Sequence, residues 1–190
     1  MNLPNALTLS RFVWTVIFIY LLSRNSLSST VMAAVVFTIA ALTDLLDGYI
    51  AKKKGLITDF GKIMDPVADK FLMLAAFIMF VQMGVLEAWM VVLIFIREVA
   101  VTFSRILRLR RGQVLAAEKA GKIKTTFQIL SISVVLIFLI LEKSDLASGW
   151  SQSVENGWGL AINIMMFITV LLTVNSGVSY FQSLRKQAVL

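Results

Sequence analysis

Asp44-Leu-Leu-Asp-Gly-Tyr-Ile-Ala-Lys52, continued by Gly61, Asp65 and Asp69, is the stretch that decides how this chain folds. It lies between two strongly apolar runs, TVMAAVVFTIAAL over residues 30–42 and FLMLAAFIMFV over residues 71–81. An aspartate at the centre of a membrane helix costs about 2.5–3.5 kcal/mol on insertion scales, so four together cost on the order of 10 kcal/mol. Such a group persists only facing water, cations or other polar partners. The ordinary alternative is a set of helix-end carboxylates capping and solvating a turn.

The spacing favours a metal site. Asp44 and Asp47 are i and i+3, and Asp65 and Asp69 are i and i+4, so each pair projects from one side of its helix. A short connection holding Lys52, Lys53, Lys54 and Gly55 lets the two helices lie antiparallel with the pairs converging. Carboxylate oxygens without His or Cys suit Mg2+ or Mn2+ rather than zinc. Two such ions, roughly 3.5–4 Å apart, form the usual clamp for displacement at phosphorus. Gly48 and Gly61 lack a Cβ and let a nucleotide or another backbone approach closely.

The same residues carry a resemblance. Asp-x-x-Asp-Gly-x-x-Ala, a basic residue, eight residues, Gly, three residues, Asp, three residues and Asp resembles the signature of the CDP-alcohol phosphatidyltransferases. One position departs: Lys52 stands where that family usually has Arg, keeping the charge but losing the bidentate fork. The blocks NLPNALTLSR (2–11), GLITDFGKIMDPVADK (55–70), IREVAVTFSR (96–105) and GKIKTT (121–126) are similar to the bacterial phosphatidylglycerophosphate synthase branch. The likeness fades through the last two apolar runs.

Composition sets the broad class. The chain has 190 residues, 58% of them hydrophobic, and a mean hydropathy of +0.85, which points to a polytopic membrane protein. Nothing marks a second domain, so residues 1–190 read as one all-α membrane domain. Without cysteine, thiol and disulfide chemistry are excluded; without histidine, a general base must be a carboxylate, lysine or tyrosine. The net charge of +7 is clustered beside apolar spans and points to anionic lipid or phosphate, not to nucleic acid. No cleavable signal is expected, because Pro4 comes early and no basic cluster precedes the first apolar run.

Six apolar runs predict six transmembrane helices in one bundle, over Leu7–Leu22, Val31–Ala51, Pro66–Val85, Trp89–Leu109, Thr126–Leu141 and Leu160–Phe181. Lys52 to Lys54, Arg108, Arg110, Arg111, Lys119, Lys122, Lys124, Arg185 and Lys186 fall on one side. The other side holds Arg24 and Lys143 with Glu87, Glu142, Asp145 and Glu155. By the positive-inside rule both termini and the aspartates are cytoplasmic. Trp89, Trp150 and Trp158 read as interface anchors on the far side. Asn5 and Thr8 admit two readings, as caps of the first helix or, by the resemblance, as neighbours of a nucleotide diphosphate.

The fourth run holds Arg97, Glu98 and Arg105. Arg97 lies well inside an apolar stretch and needs a partner. Glu98 is adjacent and expected not to share its face, so Arg97 is expected to reach an aspartate of the cluster or a bound phosphate. Arg108, Arg110 and Arg111 read as contacts for lipid headgroups. Arg105, Lys119, Lys122 and Lys124 read as an anion pocket. A phosphorylated acceptor would need such a separate cationic site, since four carboxylates repel a dianion.

The resemblance implies the rest. It implies transfer of a phosphatidyl group from CDP-diacylglycerol to sn-glycerol 3-phosphate, releasing CMP, in a bacterial cytoplasmic membrane, by an enzyme often found as a homodimer. Asp44, Asp47 and Asp65 would hold the divalent ions and the donor diphosphate, with Asp69 completing the metal site and acting as base. Gly48, Ala51 and Gly61 would make room for cytidine, and Lys52 would stand at the phosphate contact. Inositol phosphate, phosphatidylglycerol or serine are alternative acceptors. A cation-coupled transporter and a non-catalytic lipid-binding protein are rivals from other classes. The transporter would need a second, matching cluster of broken helices, and the second half of the sequence offers none.

Overall fold

The computed structural model describes the backbone over residues 3–54, 59–110 and 119–189, with side chains over 10–43, 70–108, 121 and 123–185. These residues form six long helices: α1 (Leu3–Ser23), α2 (Leu27–Lys54), α3 (Asp59–Gln82), α4 (Ala88–Arg110), α5 (Lys119–Glu142) and α6 (Gln152–Val189). A short 3-10 turn, Asp145–Gly149, precedes α6, and no strand occurs among the described residues. The fold is all-α. Each predicted apolar run falls within one helix, except that α3 stops at Gln82 rather than Val85.

Local chemistry explains that stop. Gly84 has φ +75°, a left-handed conformation that glycine adopts without a Cβ penalty. The Val85 N–H donates to the Phe80 carbonyl at 2.9 Å and the Gly84 N–H to Val81 at 3.0 Å, the paired bonds of a Schellman ending. Asn25, φ 51°, turns the chain after α1 in a related way. At the start of α2, the Ser26 hydroxyl accepts from the Ser29 N–H at 3.3 Å. The Ser29 hydroxyl accepts from the Ser26 N–H at 3.2 Å, closing a reciprocal cap.

α1 packs between α2 and α3, α4 packs against α3 and α6, and α5 touches α2, α3 and α6. Phe18, Phe77, Phe80, Ile94, Ile132 and Met166 are almost wholly buried at the centre. Ala33 and Ala76, both fully buried, let neighbouring backbones come close, as small residues do between membrane helices. Residues from the α1–α2, α3–α4 and α5–α6 turns, among them Asn25, Met83 and Lys143, line one cavity of about 560 Å³. The three turns therefore share one end of the bundle, and the last turns of α2 and α4 and the first turns of α3 and α5 point toward the other.

The outer surface is apolar. Val16, Tyr20, Met32, Ile96, Phe103 and Leu171 are each more than half exposed, a surface suited to lipid rather than water. Ile123–Glu142 and Gln152–Arg185 are each long and apolar enough to cross a bilayer. Ser10–Ser23, Leu27–Thr43 and Lys70–Gln82 are shorter apolar helical stretches among the described residues. Of the expected anchors, Trp89 is exposed, whereas Trp150 and Trp158 stack at 6.4 Å beside Phe138 and pin the start of α6.

Candidate active site

The aspartates occupy the ends of two helices that both pack on α1. Asp44, Asp47, Gly48, Ala51 and Lys52 lie in the second half of α2, and Gly61, Asp65 and Asp69 in the first half of α3. Asn5 and Thr8 lie in the first turns of α1, at the same end of the bundle, with Lys119 and Lys122 in the first turn of α5. The side chains of all these residues, and hence the expected convergence of the four carboxylates, lie outside the described residues. The described side chains contain no group of three carboxylates that could hold an ion. An all-carboxylate donor set on helical i, i+3 and i, i+4 positions fits Mg2+ or Mn2+.

The described part of this region is organised by Glu98 on α4. Its carboxylate is 3% exposed and receives Lys70 from α3, with Nζ 2.5 Å from Oε2. Lys124 from α5 donates to Oε1, and Gln128, one turn further along α5, donates Nε2 to the same oxygen at 3.3 Å. Arg97 Nη1 lies 3.3 Å from Oε1. Glu98, expected not to share the face of Arg97, is nevertheless one of its partners. Adjacent helical positions diverge, but the long guanidinium arm curls back around the helix to its neighbour. Its other terminal nitrogen donates to Ser176 Oγ on α6 at 2.8 Å.

A polar seam continues between α5 and α6. Gln128 Nε2 donates to Thr173 Oγ1 at 3.4 Å, and the Ser131 and Thr169 hydroxyls pair at 2.8 Å. Thr173, Ser176, Gln128 and Lys124 are all buried, so this polarity is satisfied within the bundle. Arg105 stands apart: exposed, seven residues beyond Glu98 on the same side of α4. Lys124, expected in an anion pocket, is held by Glu98, its side chain 4% exposed.

Lys70 and Glu98 also form the polar end of a groove of about 610 Å³ between α3 and α4. Its walls are otherwise largely apolar, including Phe71, Leu74, Phe95, Val99, Phe103 and Ile106. Sequence reasoning missed Lys70, although it directly follows Asp69. It also gave Glu98 no role beyond adjacency to Arg97. A carboxylate in the middle of an apolar run was the available signal, since it demands a cation from another helix.

Comparison with known proteins shows the family: the chain belongs to the CDP-alcohol phosphatidyltransferases. A family model described as CDP-alcohol phosphatidyltransferase matches residues 1–175. A Bacillus subtilis protein named CDP-diacylglycerol–glycerol-3-phosphate 3-phosphatidyltransferase is 42% identical over 148 residues, covering 72% of this chain and 77% of its own. A Rickettsia bellii protein of the same name is 33% identical over 186 residues, covering 97% and 96%. A Mycobacterium tuberculosis probable phosphatidylglycerophosphate synthase is 35% identical over 182 residues, covering 94% and 79%.

Proposed function

Because the chain belongs to the CDP-alcohol phosphatidyltransferase family, we propose that it moves a phosphatidyl group from CDP-diacylglycerol to sn-glycerol 3-phosphate, releasing CMP. The observation that carries the acceptor assignment is the gathering of Lys70, Arg97 and Lys124 around a single described carboxylate, immediately beyond Asp69. Three cations against one acid suit a region that must receive a phosphate dianion. The relatives' names point to the same acceptor.

In this reading residues 1–190 form one membrane domain of six crossings in a bacterial cytoplasmic membrane. Both termini and the aspartates face the cytoplasm, following the cations at that end. Asp44, Asp47, Asp65 and Asp69 hold two Mg2+ or Mn2+ ions. When bound, such ions draw charge from the donor diphosphate and make CMP a better leaving group. Gly48, Ala51 and Gly61 leave room for cytidine, and Lys52, Asn5 and Thr8 stand near its phosphates. The groove between α3 and α4 suits a donor acyl chain entering from the bilayer.

Asp69 accepts the proton of the acceptor's primary hydroxyl. The hydroxyl oxygen then bonds to the phosphatidyl phosphorus, and the bond from that phosphorus to the oxygen of CMP breaks, CMP leaving with the electron pair. Arg105, Lys119 and Lys122 hold the acceptor's own phosphate away from the carboxylates, with Lys124, engaged by Glu98, and Arg97 bracing the cluster from behind. Holding both substrates in line supplies much of the acceleration.

The test is an acceptor screen with purified protein, CDP-diacylglycerol and Mg2+. CMP release with sn-glycerol 3-phosphate, but not with inositol phosphate, phosphatidylglycerol or serine, is expected. Release with one of the others instead reassigns the acceptor, and silence with all of them removes the transferase reading.

A further inference from the structure

Glu98 joins two helices whose proposed tasks differ. Lys70 directly follows Asp69 on α3, the helix assigned to metal and donor. Lys124 lies in the second turn of α5, behind Lys119 and Lys122, on the helix assigned to the acceptor phosphate. The two ammonium groups meet on opposite oxygens of one carboxylate, Lys70 on Oε2 and Lys124 on Oε1. Arg97 and Gln128 add two more donors to Oε1, and both are tied to α6 through Ser176 and Thr173.

This arrangement is rigid for a physical reason. An exposed ion pair fixes little, but a buried carboxylate shared among donors from three helices depends on each of them staying in place. Without the carboxylate, two lysines and an arginine would repel one another in a dry interior. Lys70, at 22% exposure, and Glu98, at 3%, both line the end of the groove, whereas Lys124, at 4%, does not. Both oxygens of Glu98 are engaged by lysines, so it is placed to hold them rather than to bind the acceptor itself.

Resting on the transferase reading above, we propose that Glu98 is a positioning residue for the acceptor. It fixes the Asp69-bearing turn of α3 against the lysine-bearing turns of α5, and so sets where the acceptor phosphate sits relative to the reacting phosphorus. A carboxylate that merely occupied the phosphate's place until substrate arrived would act in the opposite sense, because its removal would tighten acceptor binding.

The full chain as wild type, Glu98→Gln, Glu98→Asp, Lys70→Gln and the Glu98→Gln/Lys70→Gln double variant separates these cases. Acceptor KM is measured with CDP-diacylglycerol and Mg2+, and donor affinity by CDP-diacylglycerol binding in Mg2+ without acceptor. Glu98→Gln is expected to raise acceptor KM at least about tenfold and to change donor affinity by less than about threefold. Glu98→Asp should recover part of the loss. The double variant should fall short of the product of its single effects, because Glu98 acts through Lys70. A lowered acceptor KM, an equal loss of donor affinity or multiplicative single effects would overturn the proposal. Should Glu98→Gln fail to fold, Lys70→Gln alone decides it: a raised acceptor KM with donor affinity retained supports the proposal, and an unchanged KM overturns it. Wild-type protein inactive with sn-glycerol 3-phosphate would overturn the acceptor assignment itself, and this inference with it.

Discussion

Gly177 on α6 leaves the space that Arg97 on α4 fills: a Cβ built on Gly177 would lie 2.9 Å from Arg97 Cγ. That contact is with the root of the arginine side chain, not its flexible tip. The guanidinium can reach Ser176 and Glu98 because its stem lies flat against α6.

Gly177→Ala should therefore push Arg97 off its path. Overpacking of this kind costs about 1–3 kcal/mol of stability. Losing the arginine's hold on the Glu98 cluster should lower kcat/KM for the acceptor about tenfold, roughly 1.4 kcal/mol in barrier. Reversible unfolding in mixed micelles and steady-state CMP release check the two effects. Wild-type values for both would show that α4 and α6 part easily here.

Asp69→Asn tests the base. The variant should lose about 10²–10⁴-fold in CMP release, the range that one general base supplies. CDP-diacylglycerol binding should survive, since three of the four carboxylates remain. Near-normal turnover would remove Asp69 from that role.

Lys122→Ala tests the acceptor side. Loss of a charge-assisted contact to phosphate, about 1.5–3 kcal/mol, should raise acceptor KM at least about tenfold. The donor KM should move by less than about twofold. Equal changes in both would assign Lys122 to the lipid surface.

Thr169→Val tests the polar seam away from the chemistry. Thr169 pairs with Ser131 at 2.8 Å and also bonds the Met165 carbonyl, and the Ser131 hydroxyl retains the Phe127 carbonyl at 2.9 Å. Interhelical hydrogen bonds in membrane proteins average about 0.6 kcal/mol, so a loss near that size with unchanged activity is expected. A loss above roughly 2 kcal/mol would mean that the seam holds the bundle together.

Much of the fold could be read from the sequence because apolar length maps directly onto helices. The runs from Val31 and Trp89 begin within one turn of the starts of α2 and α4. The early start of α6 at Gln152 was hidden, because Gly157 and Gly159 dilute the apolar pattern there. Stacking of Trp150 and Trp158 beside Phe138 anchors that end instead. Of the candidate site, the placement of its aspartates on α2 and α3 was legible, because that logic is local. The i, i+3 and i, i+4 spacings of the aspartates need only helical geometry. The Glu98 cluster was not, because Lys70, Glu98 and Lys124 meet through the relative register of three helices, which linear spacing does not encode. The contact between Arg97 and Glu98 was hidden for a different reason: helical faces describe Cβ directions, and an arginine is long enough to turn back.

The aspartates' grip on divalent metal is the central claim, and electron paramagnetic resonance of Mn2+ titrated into the purified chain with CDP-diacylglycerol tests it most directly. Two tightly bound ions per chain, magnetically coupled as expected for a separation of roughly 3.5–4 Å, should appear in wild-type protein and be lost in Asp47→Asn. Only weak, uncoupled Mn2+, or coupled ions undisturbed by that substitution, would contradict it.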